Sequence, residues 1–258
     1  MKKSINLLVF ALAMINIAMF LVPNVYALET NDYVLKNQGT IEDVIENQRN
    51  LDRAKEAMEQ YLEDESSSII PLSTLSSVSY GLSSYPIFRQ EENYYCGPAV
   101  VKEAIQHITG SSSSQDTYAA SMGTSSNGGT YVYRLTNELN NRQNELNFVY
   151  EQQSSSSNTT RVNNMYNIIR FSTGMDSPVI LHSRTGSIYM YNGRDVGHYL
   201  TAISVNVING TPETVGYVDS FYNDYGRGSV YGYHTDTIEN MAQSVSGRYL
   251  IYGNGTIA

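Results

Sequence analysis

The sequence predicts an α+β fold in which N-terminal helices pack on an antiparallel sheet, and three observations carry that prediction. Apolar residues recur at helical spacing in the segments up to Gly174, and runs with strand character follow it. Helices first and strands second is the α+β order. The 22 tyrosines, with no tryptophan, suit half-buried strands with wet edges. With 258 residues, 41% of them hydrophobic, the chain suffices for one globular domain with flanking segments.

The elements follow in chain order. Residues 1–27 begin with Lys2 and Lys3, continue in an apolar run from Ile5 to Val22, and end in small residues at Val25-Tyr26-Ala27. That is the layout of a secretory signal peptide, and it predicts a secreted, extracellular or cell-surface protein; an uncleaved anchor is the alternative. Residues 28–75 hold Ile41, Val44, Ile45, Leu51, Ala54, Met58, Tyr61 and Leu62 at helical intervals between Thr40 and Glu65, opened by a capping box of Thr40 and Asp43. This segment has eleven acidic side chains against four basic ones, and Ser66-Ser67-Ser68 with Pro71 closes it as a linker. It is expected to be an acidic pro-segment or docking arm, the alternative being a helix packed permanently on the domain.

Residues 76–258 form the expected main domain. Cys96 to Thr109 reads as a helix, with Pro98 in the first turn, Val100, Val101, Ala104, Ile105 and Ile108 on one face, and Gly110 as its stop. Two more helices are predicted, from Tyr131 to Asn141 and around Val162, Met165 and Ile169, separated by serine tracts at Ser111–Ser114 and Ser154–Ser157. Strands are predicted at Pro178–His182, Ser187–Tyr191, His198–Ile208, Thr214–Phe221 and Tyr249–Tyr252.

Charge and motif content exclude several functions. A formal charge of -9 argues against binding a nucleic-acid backbone, which needs clustered Lys and Arg. No His-x-x-x-His or Cys-x-x-Cys spacing is present to hold zinc, so no metal and no cofactor is expected. Past the N-terminal segment no stretch is apolar enough to cross a membrane, and a monomer is expected. One cysteine permits no internal disulfide.

That cysteine, Cys96, is the candidate nucleophile. A thiol attacks a carbonyl as thiolate, and a helix start favours the charged form through its unpaired N–H groups and dipole. Gly97 is expected to keep side chains from crowding the sulfur. Free cysteines are also often inert core residues. Of the four histidines, His107 lies about 16 Å along the same helix, beyond proton-transfer reach. His182, ending an apolar strand, and His234, in a Tyr- and Gly-rich loop, read as structural or exposed. His198 opens a long strand after Gly197 and is the candidate base.

The base needs an orienting group. Asn209-Gly210 is a two-residue hairpin signal, and a hairpin closed there sets Leu200 opposite Asp219. His198 and Asp219 then become diagonal neighbours, with Cα atoms about 7–8 Å apart. A slip of one residue would turn Asp219 to the other face, and Pro212 demands an edge position or a bulge. Asp219 as a mere surface carboxylate, and Asp195 or Asp224 in its place, are the competing assignments. Donors for an oxyanion would be the Cys96 N–H and the amide of Gln90.

The stretches "QEENYYCGPA", "GTYVYRLTNELN", "GHYLTAISV" and "YVDS" carry a resemblance. Across Tyr85 to Tyr252 the chain resembles the bacteriocin-processing, double-glycine peptidase family, in its stand-alone secreted branch, within the papain-like cysteine peptidases. The resemblance implies a papain-like fold with Cys96 as nucleophile, His198 as base, Asp219 as orienter and Gln90 as oxyanion donor. Family members fused to transporters clip leader peptides at Gly-Gly, whereas this chain shows no transporter segments. The expected function is cleavage of peptide bonds in a peptide or protein substrate through an acyl-enzyme. Acyl transfer or deamidation by the same residues, and peptide or cell-wall binding without turnover, are the alternatives.

Overall fold

The computed structural model describes residues 37–68 and 77–255. The expected signal peptide and the linker past Ser68 lie outside them. The elements are α1 (Ile41–Ser68), β1 (Ser77–Gly81), α2 (Cys96–Thr109), α3 (Gln115–Met122), α4 (Val132–Arg142), β2 (Asn147–Gln152), α5 (Asn158–Gly174), β3 (Val179–Arg184), β4 (Gly197–Ile208), β5 (Thr211–Asp219), β6 (Gly232–Thr237), α6 (Ile238–Ser244) and β7 (Tyr249–Asn254). The strands make one antiparallel sheet in the order β2-β7-β3-β4-β5-β6, and β1 pairs with the far half of β4. This is the α+β class read from the sequence.

Side chains alternate across a strand, so one sheet serves two cores. Val179 and Leu181 of β3 point into a core shared with Leu51, Ala54 and Met58 of α1, Met165 and Phe171 of α5 and Met241 of α6. Ile180, between them, joins Val101 and Ile105 of α2, Tyr118 of α3 and Leu135 and Leu139 of α4 on the other face. The helix bearing Cys96 therefore lies on the opposite face from α1.

Local chemistry explains the element ends. Thr40 and Asp43 form the expected capping box, with Thr40 N donating to Asp43 Oδ2 at 2.8 Å and Asp43 N to Thr40 Oγ1 at 3.2 Å. Helix α1 runs past Glu65 to Ser68, because Ser66 Oγ donates to the Glu63 carbonyl at 2.7 Å instead of breaking the turn. The two serine tracts end in N-caps: Ser114 accepts from Thr117 N and Ser157 from Thr160 N. Gly110 ends α2 with φ 76, the left-handed C-cap that glycine adopts without strain.

The strand expected at Ser187–Tyr191 is absent: the segment forms two 3-10 turns, Thr185–Ser187 and Tyr189–Tyr191. Both edges of β3 are already taken by β4 and β7. Ile188 and Tyr191, three apart, are the buried pair, which suits three residues per turn, while Tyr189 is exposed.

The β4–β5 hairpin departs from strict register twice. Near the turn Val207 pairs with Pro212, but Asn206 pairs with Thr214, leaving Glu213 as an extra residue on β5. Further on Ser204 pairs with Gly216 but Ala202 with Tyr217, leaving Ile203 as an extra residue on β4. One bulge on each strand cancels the other, and Thr201 against Val218 restores the original register. A single bulge would have turned Asp219 away from His198.

Candidate active site

Cys96 sits at the first turn of α2, whose N-cap, Tyr95, provides no side-chain hydrogen bond. The backbone donors at this helix start are thus not covered by a capping side chain. Gly97 is required for a different reason from the one expected: a Cβ there would collide with Thr130 Oγ1, so the 128–130 loop packs directly on the helix start. Tyr199 Oη holds that loop by donating to the Thr130 carbonyl at 2.9 Å.

The structure brings Cys96, His198 and Asp219 together. His198 is buried, and its Nε2 lies 2.9 Å from Asp219 Oδ1. That leaves Nδ1 on the side of the sulfur, and Cys96 and His198 are close enough to shift each other's ionisation. Asp219 is fully buried and accepts from Tyr191 Oη at 2.8 Å on Oδ2 and from Phe221 N at 2.9 Å on Oδ1. The bond to Phe221 N turns the chain out of β5 at Asp219, two residues short of the expected strand end.

The electrostatics follow from these contacts. Burial opposes ionisation of the Cys96 thiol, but the hydrogen bond and charge of His198, with the N–H groups of Tyr199 and Gly97, outweigh it and lower its pKa. Burial also disfavours charge on His198, yet the charge and hydrogen bond of Asp219, helped by Cys96, raise its pKa to about 10. The two shifts act in concert to favour a thiolate–imidazolium pair. Burial and the neighbouring carboxylate raise the Tyr191 pKa, so Tyr191 remains a neutral donor to Asp219.

The Gln90 amide is engaged within its own loop. Its side chain is buried, Nε2 donates to the Glu92 carbonyl at 2.5 Å, and it does not line the cavity at Cys96. Its backbone N donates to the Ser220 carbonyl at 2.9 Å, which ties the loop before Cys96 to the residue after Asp219. The competing carboxylates are committed: Asp195 binds Arg184, and Asp224 Oδ1 accepts from Gly226 N at 2.7 Å. His107 binds Asp176 and His234 the Val230 carbonyl, as structural residues. Among the described residues no group of three or more His, Cys, Asp or Glu is gathered to hold a metal, and no helix is long and apolar enough to cross a membrane.

Three residues of the site escaped the sequence reading. Tyr191 lay in the mistaken strand. Glu103, two turns along α2 from Cys96, is fully buried and accepts from Phe88 N and Ser220 Oγ, each at 3.0 Å. Burial is the main reason its pKa is pushed up to about 8, with Asp219 adding to it. His182, set aside as structural or exposed, is buried and lines the cavity beside Cys96 with Tyr199 and Arg248. The cavity has a volume of about 600 Å³.

No family model matches the chain, and no curated protein matches it. Among solved structures it is similar to a double glycine motif protease from an AMS/PCAT transporter in complex with its leader peptide, at 13% identity and TM-score 0.42, covering 70% of this chain and 99% of that one. It is also similar to the peptidase domain of Streptococcus ComA, a bifunctional ABC transporter of a quorum-sensing pathway, at 16% identity and TM-score 0.43, covering 67% and 100%. A third likeness is to the bromelain protease of Ananas comosus in an inhibitor complex, at 13% identity and TM-score 0.44, covering 70% and 100%.

Proposed function

We propose that this chain is a papain-like thiol hydrolase that cleaves peptide bonds through an acyl-enzyme on Cys96. The observation that carries the reading is the Cys96 thiol sharing one cavity with His198, whose Nε2 is held 2.9 Å from buried Asp219. The thiolate attacks the scissile carbonyl carbon, a C–S bond forms and the carbonyl π pair moves onto oxygen. The oxyanion would meet the helix-start N–H of Cys96, and the Gln90 amide once it turns from the Glu92 carbonyl. As the oxyanion collapses, the C–N bond breaks and imidazolium gives its proton to the departing amine. Water then attacks the thioester, His198 takes a proton from it, and the C–S bond breaks to free the acid.

Export of the protein rests on the basic, apolar and small-residue order of residues 1–27. For the acidic segment the reading is the alternative, a helix packed permanently on the domain. Its supports are the burial of Leu51, Ala54 and Met58, and Asn47, whose amide both accepts from Tyr150 N and donates to the Tyr150 carbonyl at the edge of β2. Among the described residues, none from α1 lines the Cys96 cavity.

The test is a mixed peptide library incubated with wild type and Cys96→Ala and read by mass spectrometry. New N-termini with wild type alone are expected. Release of ammonia without new N-termini would make the enzyme a deamidase, and iodoacetamide reacting with Cys96 no faster than with a free thiol would end the catalytic reading.

A further inference from the structure

The cavity beside Cys96 has a charge unlike that of the rest of the molecule. The chain carries -9 overall, yet three arginines, Arg184, Arg194 and Arg248, line this cavity and, among the described residues, no Asp or Glu does. They come from three places in the fold: the end of β3, the loop before β4 and the turn before β7.

The three are not equivalent. Arg184 is committed to Asp195, with Nε 2.9 Å from Oδ1 and 3.0 Å from Oδ2, so its charge is largely balanced. Arg194 lies over the Tyr225 ring, with its guanidinium carbon 4.9 Å from the ring centre. Arg248 Nη1 is 3.3 Å from His182 Nε2. His182 is buried beside that cation, and its pKa is pushed down to about 3, first by burial and then by Arg248. It stays neutral, so this contact orients Arg248, whose charge is shared in part with Asp195. Planar guanidinium forks match carboxylates in shape.

We propose that the cleft beside Cys96 selects a substrate with a carboxylate close to the reacting bond, either an acidic side chain or a free C-terminus, held by Arg194 and Arg248. The proposal rests on the peptidase reading for the reaction but not for the binding.

The test uses matched short peptides in which a single Glu or Gln is moved through the sequence, each made with a free and an amidated C-terminus. Wild type is expected to favour the Glu peptide, or the free acid, by roughly tenfold in kcat/KM at one or more positions, the range of a hydrogen bond to a charged group. Comparing the Glu series with the free-acid series tells the two sources of carboxylate apart. Arg248→Gln and Arg194→Gln are expected to bring the ratio towards one, whereas Arg248→Lys retains much of it. Arg227→Gln removes a cation that lies over Tyr189 outside the cavity lining and leaves the ratio as in wild type. Higher salt narrows the preference.

The same peptides are also titrated by fluorescence anisotropy against Cys96→Ala. Turnover by wild type with equal rates and equal binding for Glu and Gln peptides overturns the carboxylate subsite and leaves the peptidase reading standing. A binding preference for the acidic peptides without any turnover sustains the subsite and removes the peptidase reading. Absence of both turnover and binding preference overturns both.

Discussion

Two buried histidines, on neighbouring strands of the sheet and lining one cavity, are driven in opposite directions. His198 on β4 is raised to about 10 and His182 on β3 is lowered to about 3. Burial disfavours charge on each. The neighbour reverses the effect of burial at His198, with Asp219 2.9 Å behind it, and adds to that effect at His182, with Arg248 3.3 Å away. Burial therefore sets the stakes of a titrating group, and the sign of the adjacent charge sets its role. Near Asp219 an imidazole becomes the cation that holds a thiolate; near Arg248 it becomes a neutral rest for a guanidinium.

The most severe way to break this contrast is to remove the sulfur. Cys96→Ala is expected to abolish turnover, by on the order of a millionfold in kcat as for loss of other covalent nucleophiles, with folding intact by circular dichroism. Asp219→Asn keeps the shape but not the charge behind His198. It should cost roughly 10²–10⁴ in kcat/KM and move the alkaline limb of the pH profile down from about 10, because the carboxylate is what raises His198.

Glu103 extends the comparison to an acid. Its folded pKa is about 8 against an ordinary 4.5, so across that window the unfolded state loses its proton first and stability falls as pH rises. The slope is about 1.4 kcal/mol per pH unit, and Glu103→Gln should flatten it in urea unfolding at the two ends of the window. The smallest effect concerns His182. Replacing Arg248 with Gln removes only the second of its two causes, so the His182 ring should titrate above its wild-type value of about 3 yet below an exposed histidine in NMR. A ring that does not move would show burial acting alone.

Much of the site was legible. Residue type singled out Cys96, hairpin chemistry at Asn209-Gly210 reached from His198 to Asp219, and Pro212 announced an irregularity. The reach succeeded because the bulge at Ile203 offsets the one at Glu213, and no signal for the former stands in the local pattern. Helix α3 was missed because a glutamine occupies a core position: Gln115 is buried, donating to the Arg89 carbonyl at 2.8 Å and accepting from Glu91 N at 3.1 Å. Strand β2 escaped because four consecutive residues are buried and show no alternation, and β6 because its sequence, GYHTDT, is polar.

By itself the sequence determined the period of its main elements, the helix start under Cys96 and the turn that folds β4 onto β5, since these depend on residues a few positions apart. Only the tertiary structure decided which histidine meets a carboxylate and which an arginine, and that three distant arginines share a cavity with the thiol. Those outcomes depend on register and on charges brought together across the sheet, where a single uncompensated bulge would have changed the partner.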